Sequence, residues 1–313
     1  MGVGILSTKM LGYIVKRLIL SVVTIFIIIT VTFFMMHAVP SSPFNKPKAI
    51  TPAVFAALEA KYGLDKPLGE QYLVYLGNVL QLDFGTSIYF RGRSVISLIF
   101  DGLKVSGVLG LWAAGFALVV GMVLGSVAAL KRDSWLDRVI LVITTAATSL
   151  PSFVVAVLLL WTFGVWWPIL PTRGDQPGGY ILPIIALALY PTAYVTRLMR
   201  SSMLDVLGQD YIRTAYAKGV KRPGVVFKHA LKNALTPVIS YAGPMIAYIV
   251  TGSFVVEMIF SMGGLGKYFV ASIQNSDYTL IMGTTIFLSI IMIAMNLICD
   301  ILYTVVDKRV ELA

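Results

Sequence analysis

Apolar residues in this chain come in long runs without a polar face. Six of them are long enough to cross a membrane: Leu18 to Val39, Val105 to Leu130, Val139 to Phe163, Ile181 to Leu198, Val238 to Phe260 and Leu280 to Val305. A helix needs about 20 apolar residues to span a hydrocarbon core of about 30 Å, because every backbone N–H and C=O must be satisfied within the segment. The fourth run is short and holds Pro183 and Pro191. Neighbouring helices can re-satisfy the carbonyls that a proline frees, so this run is predicted to span with a kink. Helices that are apolar all round have no moment to orient them, so the pattern does not say which side chains face a pore.

The polar stretches divide the chain into residues 1–17, a first span over 18–39, a segment over 40–104, five further spans within 105–306, and a tail over 307–313. Two helices are predicted in 40–104. "TPAVFAALEAKYG" has Thr51 as N-cap, Pro52 at the first helical position and Gly63 as C-cap, and "GEQYLVYLGNVLQLDFG" carries an apolar stripe of Tyr72, Leu73, Tyr75, Leu76, Val79 and Leu80. Such a segment suits a cap over helix ends or a docking surface for an extracellular protein.

Composition sharpens the class: of 313 residues, 58% are hydrophobic and 13% charged, which is not the balance of a soluble domain. The expected fold is all-α, with six transmembrane helices. Sixteen of the 25 Lys and Arg residues fall at one set of helix ends, among them Lys16, Arg17, Lys131, Arg138, Arg200 and Arg222, and the other side is close to neutral. Basic ends stay cytoplasmic, so both termini are expected in the cytoplasm. The net charge of +10 is then an orientation signal, which argues against nucleic acid as a partner. The first apolar run exceeds the 7–15 residues usual in a secretory signal and is expected to be retained. The single cysteine, Cys299, excludes an intrachain disulfide.

The most charged stretch is "DYIRTAYAKGVKRPGVVFKHALKNALTP", Asp210 to Pro237, within the loop 199–237. Asp210 is predicted to cap a short helix from Tyr211 to Lys218, Gly219 to end it in the left-handed region, and Pro223 to open a second helix. That second helix would turn Val226, Phe227, Ala230, Leu231 and Ala234 inward and keep Lys221, Arg222, Lys228 and Lys232 polar. Helices this short need tertiary packing. A basic loop resting on anionic lipid is the plainer reading of the same residues.

This stretch resembles the membrane-spanning subunits of bacterial ATP-binding-cassette importers, in the oligopeptide, dipeptide and nickel permease branch. Their loop motif has the form E-A-A-x3-G; here Arg213-Thr214-Ala215, Tyr216-Ala217-Lys218 and Gly219 keep the spacing, with Ala215 and Gly219 matching and Arg213 and Thr214 departing in the manner of the peptide branch. The likeness continues through "SLPSF" at Pro151, "VVEMIFSMGGLGKYF" with Glu257, Gly263, Gly264 and Gly266, and "SDYTLIMG" from Ser276 to Gly283. It ends in "NLICDILYTVVDKRV", where Asn296, Asp300, Tyr303 and Asp307 are in register and Lys308 stands in place of the usual proline.

The resemblance implies a type I importer permease fold and a coupling loop gripped by ATPase subunits. In it Tyr211, Ala215 and Tyr216 would give apolar contacts, Arg213, Thr214, Lys218, Lys221 and Arg222 polar ones, and Gly219 the turn. It also implies two ATPase subunits that hold ATP and Mg, a second homologous permease, and an extracellular or periplasmic binding protein. The implied cargo is a di- or oligopeptide, with nickel chelates, glutathione or oligosaccharides carried by similar permeases. Glu257, with Gly263, Gly264 and Gly266, is expected to be part of an external gate, a contact to the peptide, or a structural hydrogen bond; Asp300 is expected to be structural.

The chain is not expected to be an enzyme or to hold a cofactor or metal. His37 and His229 fall at opposite ends of the membrane, and no G-x4-G-K-[ST] phosphate loop is present. A lone secondary transporter would call for inverted repeats and charges at mid-membrane, and neither is evident.

Overall fold

The computed structural model describes residues 8–38, 63, 65–90, 92–250 and 254–306, with side chains described for residues 15–298 of these. The described residues form helices: α1 (Thr8–Ala38), α2 (Leu68–Leu80), α3 (Val95–Leu130), α4 (Trp135–Ser149), α5 (Ser152–Leu159), α6 (Ile181–Leu207), α7 (Asp210–Ala217), α8 (Leu231–Val250), α9 (Phe254–Ile259), α10 (Leu265–Gln274) and α11 (Tyr278–Val306). A wider π-helical turn over Leu160–Trp166 extends α5, and another over Val225–Ala230 leads into α8. Among the described residues the only β-type pairing is an isolated bridge between Thr86 and Ser94.

Five helices are long and apolar enough to cross a membrane, namely α1, α3, α6, α8 with its leading turn, and α11; α4 and α5 together make a sixth candidate, bent by 105°. The third expected span, Val139 to Phe163, is therefore not one straight helix. Leu150 is extended (φ −94°, ψ 127°) because it precedes Pro151, whose ring disfavours helical backbone before it. The fourth span runs unbroken from Ile181 to Leu207. Pro183 falls in its first turn, where an N–H would have no helical partner in any case.

Other boundaries move for equally local reasons. α3 starts at Val95 rather than Val105, since Ser94 caps it by accepting the Ser97 N–H at 3.3 Å. The fifth span is described as far as Val250, and Glu257 lies on the stretch of helix described from Phe254, α9. The helix expected after Thr51 and Pro52 lies outside the described residues, as do the side chains of Cys299, Asp300 and Tyr303. The second expected helix is present as α2. It buries Val79, packs Tyr75 and Leu76 against a core that includes Ile29 of α1, and leaves Leu73 and Leu80 exposed.

The main packing unit is α3 against α6. Its close approach depends on small residues: a Cβ added at Gly121 would lie 2.7 Å from the Val195 side chain, and one at Gly125 2.5 Å from the Thr196 carbonyl. Leu109, Ala113 and Ala117 of α3 and Val195, Met199 and Met203 of α6 are buried in one core, which continues into the basic stretch through Ile212, Ala215, Val226 and Ala230. α1 packs mainly on α11 and leaves much of its apolar surface exposed.

Candidate functional site

At the basic end, α6 runs into α7. Gln209 occupies the N-cap without a side-chain bond, so Asp210 is the first helical residue and not the expected cap. Its carboxylate lies beside the helix N-terminus and 3.6 Å from the Arg213 guanidinium, both side chains exposed. The helix ends as expected. Gly219 has φ +79°, its N–H donates to the Tyr216 carbonyl at 2.9 Å, and the Val220 N–H donates to the Ala215 carbonyl at 3.1 Å. Those bonds satisfy the last carbonyls of α7, and a residue in the left-handed region is what makes them possible. Lys221 then caps a short turn, Arg222–Gly224, with Pro223 near its start as predicted.

Ile212 and Ala215 are buried beneath α7, whereas Tyr211, Arg213, Thr214, Tyr216 and Lys218 are on its exposed side. Ala215 thus fastens the element to the core instead of offering an outward contact. The Thr214 hydroxyl donates back to the Asp210 carbonyl at 3.0 Å. The Tyr211 hydroxyl accepts from Asn233 Nδ2 at 2.9 Å, which ties α7 to α8, and Arg222 reaches the Leu130 carbonyl at 3.4 Å. Phe227, expected inside, is 71% exposed. The wider turn over 225–230 brings Val225 into the buried face beside Val226 and Ala230 and rotates Phe227 out.

Sequence reasoning missed the ion pair beneath this element. Asp137 of α4 is buried and receives Arg200 of α6 through two bonds, Nε to Oδ1 and Nη2 to Oδ2, each 2.7 Å. The Asp133 N–H donates to Asp137 Oδ2 at 3.0 Å, and the Asp137 N–H donates to Ser134 Oγ at 3.3 Å. The Ser134-x-x-Asp137 spacing was a readable capping signal; its arginine partner, 63 positions away, was not.

At the opposite end Glu257 is fully buried. Its Oε1 accepts from Ser106 Oγ at 2.6 Å and its Oε2 from the Gly266 N–H at 3.0 Å, while Ser106 Oγ accepts the Leu265 N–H at 2.8 Å. Leu265 and Gly266 open α10, whose N-cap, Gly264, has no side chain. The serine of α3 and the carboxylate of α9 therefore cap α10 from outside, satisfying N–H groups that would otherwise be orphaned. This fit requires Gly264, where an added Cβ would lie 2.3 Å from Glu257 Oε2, and Gly266, where it would lie 2.4 Å from the Phe254 Cα; Gly263 has nothing within 4 Å. Glu257 is thus held in a structural network with no face open to a solute in this conformation.

A second carboxylate works alike. Buried Asp277 precedes α11 and accepts from the Leu280 N–H at 3.2 Å and from Thr279 Oγ1 at 2.9 Å. It also accepts from Ser87 Oγ at 2.5 Å and the Tyr89 N–H at 3.0 Å, pinning the loop before α3. Among the described residues no three His, Cys, Asp or Glu side chains gather as metal ligands.

Five helices long and apolar enough to span, a bent sixth candidate and a packed basic element together fit a multi-pass membrane protein. The chain belongs to the family of binding-protein-dependent transport system inner membrane components, whose model matches residues 121–312; the model of the N-terminal region of such membrane components matches residues 10–88. It is 44% identical to the dipeptide transport system permease protein DppB of Bacillus subtilis over 304 residues, 97% of this chain and 99% of that protein. It is 41% identical to the oligopeptide transport system permease protein OppB of Haemophilus influenzae, across 96% of this chain and all of that one. Among solved structures, the inward-facing MetNI methionine ABC transporter shares the fold, with a TM-score of 0.55 at 17% identity over 68% of this chain and 97% of its own. An amino acid ABC transporter gives a TM-score of 0.52 at 16% identity, over 69% and 95% of the two chains. The chain is thus a multi-pass membrane protein of type I importer permease fold, as the sequence implied.

Proposed function

We propose that this chain is one of two membrane-spanning subunits of an ATP-driven importer for di- or oligopeptides in a bacterial cytoplasmic membrane. The observation that carries the reading is identity above 40% along nearly the whole chain with permeases named for dipeptide and oligopeptide transport. The structure adds support through the 199–237 loop, which is folded, fastened to the core by Ile212 and Ala215, and exposes Tyr211, Arg213, Tyr216, Lys218 and Phe227. Two partner ATPases, carrying ATP and Mg, grip those side chains. A second homologous permease completes the pathway, and an extracellular or periplasmic binding protein delivers the cargo.

Both termini lie in the cytoplasm in this scheme, following the placement of Lys and Arg. When the ATPases close, α7 is displaced, and the bidentate pair of buried Asp137 and half-buried Arg200 hands the motion from α6 to α4, so that the spans alternate between outward and inward access. At the outer end, Glu257 with Gly264 and Gly266 forms the hinge of the external gate by holding α10 against α3, Gly263 lying in the loop before those glycines, with no direct contact to cargo.

The test is purification of the tagged chain in mild detergent, with mass spectrometry of what accompanies it and ATPase assays on the recovered complex. Two Walker-containing subunits and a second permease, with turnover raised by a peptide-loaded binding protein, are expected. A chain recovered alone and without ATPase would overturn the reading in favour of a lone transporter.

A further inference from the structure

Most surface that a membrane would cover on this chain is apolar. α1 exposes Phe26 and Ile27, α3 exposes Leu111 and Trp112, and α4 exposes Val142 and Ile143. The faces of α6 and α8 differ. Between Leu182 and Met203, α6 is buried or half-buried except at Tyr190, Tyr194 and Ser201, which lie on one stripe. α8 exposes Pro237, Ser240, Pro244 and Tyr248 at helical spacing, with half-buried Tyr241 on the same side.

The two stripes meet at mid-helix, where the Tyr194 and Tyr241 rings stand 4.3 Å apart. Among the described residues no hydrogen bond reaches the hydroxyls of Tyr190, Tyr194 or Tyr241. In addition, Pro237 and Pro244 each remove the N–H that would have bonded a carbonyl one turn back, so acceptors are freed along the same face. A phenol or carbonyl facing hydrocarbon without a partner is costly, and polar groups at membrane depth accordingly face a protein interior or a water-filled passage.

We propose that this strip, centred on Tyr190, Tyr194, Tyr241 and Tyr248, is this chain's wall of the translocation pathway, and that its hydroxyls and ring faces contact the peptide as it passes. The inference rests on the peptide-importer reading and adds the residues that touch the cargo. Phenols both donate and accept, so they serve main-chain amides of any sequence, and their ring faces attract an ammonium group. The exposed part of the strip carries no charge from Tyr190 to Tyr194 or from Pro237 to Tyr248. Such a wall holds a zwitterionic chain weakly at several points and carries no formal charge that would exclude an acidic or basic side chain.

The test uses the assembled transporter in lipid nanodiscs with Cys299, the only cysteine, replaced by serine. Single cysteines are introduced by Tyr190→Cys, Tyr194→Cys and Tyr248→Cys, with Leu111→Cys and Val142→Cys as lipid-facing controls, and each is challenged with a charged methanethiosulfonate reagent. The cysteine thiolate, which forms where water reaches it, attacks such a reagent, forming a mixed disulfide and releasing methanesulfinate. The three pathway positions are expected to react at least tenfold faster than the controls and to be slowed by saturating trialanine.

Reaction at Tyr194→Cys no faster than at Leu111→Cys would overturn the proposal, placing the strip against lipid or sealed by the second permease. Fast reaction without protection by trialanine would overturn the cargo contact. Tyr194→Phe and Tyr241→Phe, which keep the packing, are expected to raise KM for peptide uptake roughly 3- to 10-fold, the loss of about one hydrogen bond. Uptake of labelled trialanine by the Cys299→Ser parent separates the two readings. An inactive parent complex counts against peptide import itself; an active parent with silent cysteines counts against this strip alone.

Discussion

The two ends of the molecule both bury carboxylates, but they satisfy them differently. At the basic end Asp137 meets an arginine from another membrane span through two bonds of 2.7 Å. At the neutral end Glu257 and Asp277 meet hydroxyls and the N–H groups of helix starts, with no cation in either network as described. An ion pair between two long helices lets one pull the other as a unit. A carboxylate that caps a short helix in place fixes a loop without linking it to a distant span. The basic end is therefore suited to transmitting movement and the neutral end to holding a closed shape.

The largest effect should come from breaking the ion pair. Arg200→Ala would leave the buried Asp137 carboxylate with the Asp133 N–H but without its cation, at a cost of about 3 kcal/mol. A clear fall in the thermal unfolding temperature of the purified complex is expected. Arg200→Lys should recover only part of it, because an ammonium cannot make both parallel bonds. An unchanged unfolding temperature for Arg200→Ala would erase the difference between the ends.

A smaller loss is expected at the neutral end. Gly264→Ala would drive a methyl to within 2.3 Å of the Glu257 carboxylate, a crowding of about 1–3 kcal/mol, whereas Gly263→Ala meets nothing within 4 Å and should be close to neutral. Equal unfolding temperatures for the two variants would show that the cap on α10 is looser than drawn. Glu257→Gln comes next. It keeps the shape but replaces one acceptor by a donor facing the Ser106 hydroxyl or the Gly266 N–H, costing about 1–3 kcal/mol. The complex should still assemble while peptide uptake falls; unchanged uptake would remove Glu257 from the gate.

The spans, the turn at Gly219 and the family were legible because each depends on residues near one another in the chain. Long apolar runs announce spans, and a glycine after a short polar helix announces its end. Asp137 with Arg200, Ser106 with Glu257 and Ser87 with Asp277 were not legible, since each joins positions far apart in sequence and a lone Ser or Arg carries no sign of its partner. The break at Pro151 could have been read from its ring, yet prolines at 191, 237 and 244 lie inside unbroken helices, so the rule does not discriminate. Phe227 misled because a 3.6-residue period was applied across a wider turn. The tyrosines of α6 and α8 were hidden because an aromatic ring counts as apolar in a hydrophobic pattern, and only three-dimensional exposure separates them from leucines.

Gly219 offers the smallest structural change with a readable functional outcome. An added Cβ there meets nothing within 4 Å, so any penalty comes from the backbone alone, held at φ +79°. A non-glycine residue in that region loses about 1–2 kcal/mol, most for β-branched side chains and least for asparagine. That strain can be relieved by letting the end of α7 unwind, which would cost the bonds from Gly219 to Tyr216 and from Val220 to Ala215 and shift Tyr216 and Lys218 on the surface. Gly219→Val should then lower the unfolding temperature only slightly while peptide uptake falls and ATP turnover by the complex no longer responds to the loaded binding protein; Gly219→Asn should behave like the parent. If both variants transport normally, the outward shape of this turn is not what the ATPases grip, and the basic end loses its claim to be the transmitting one.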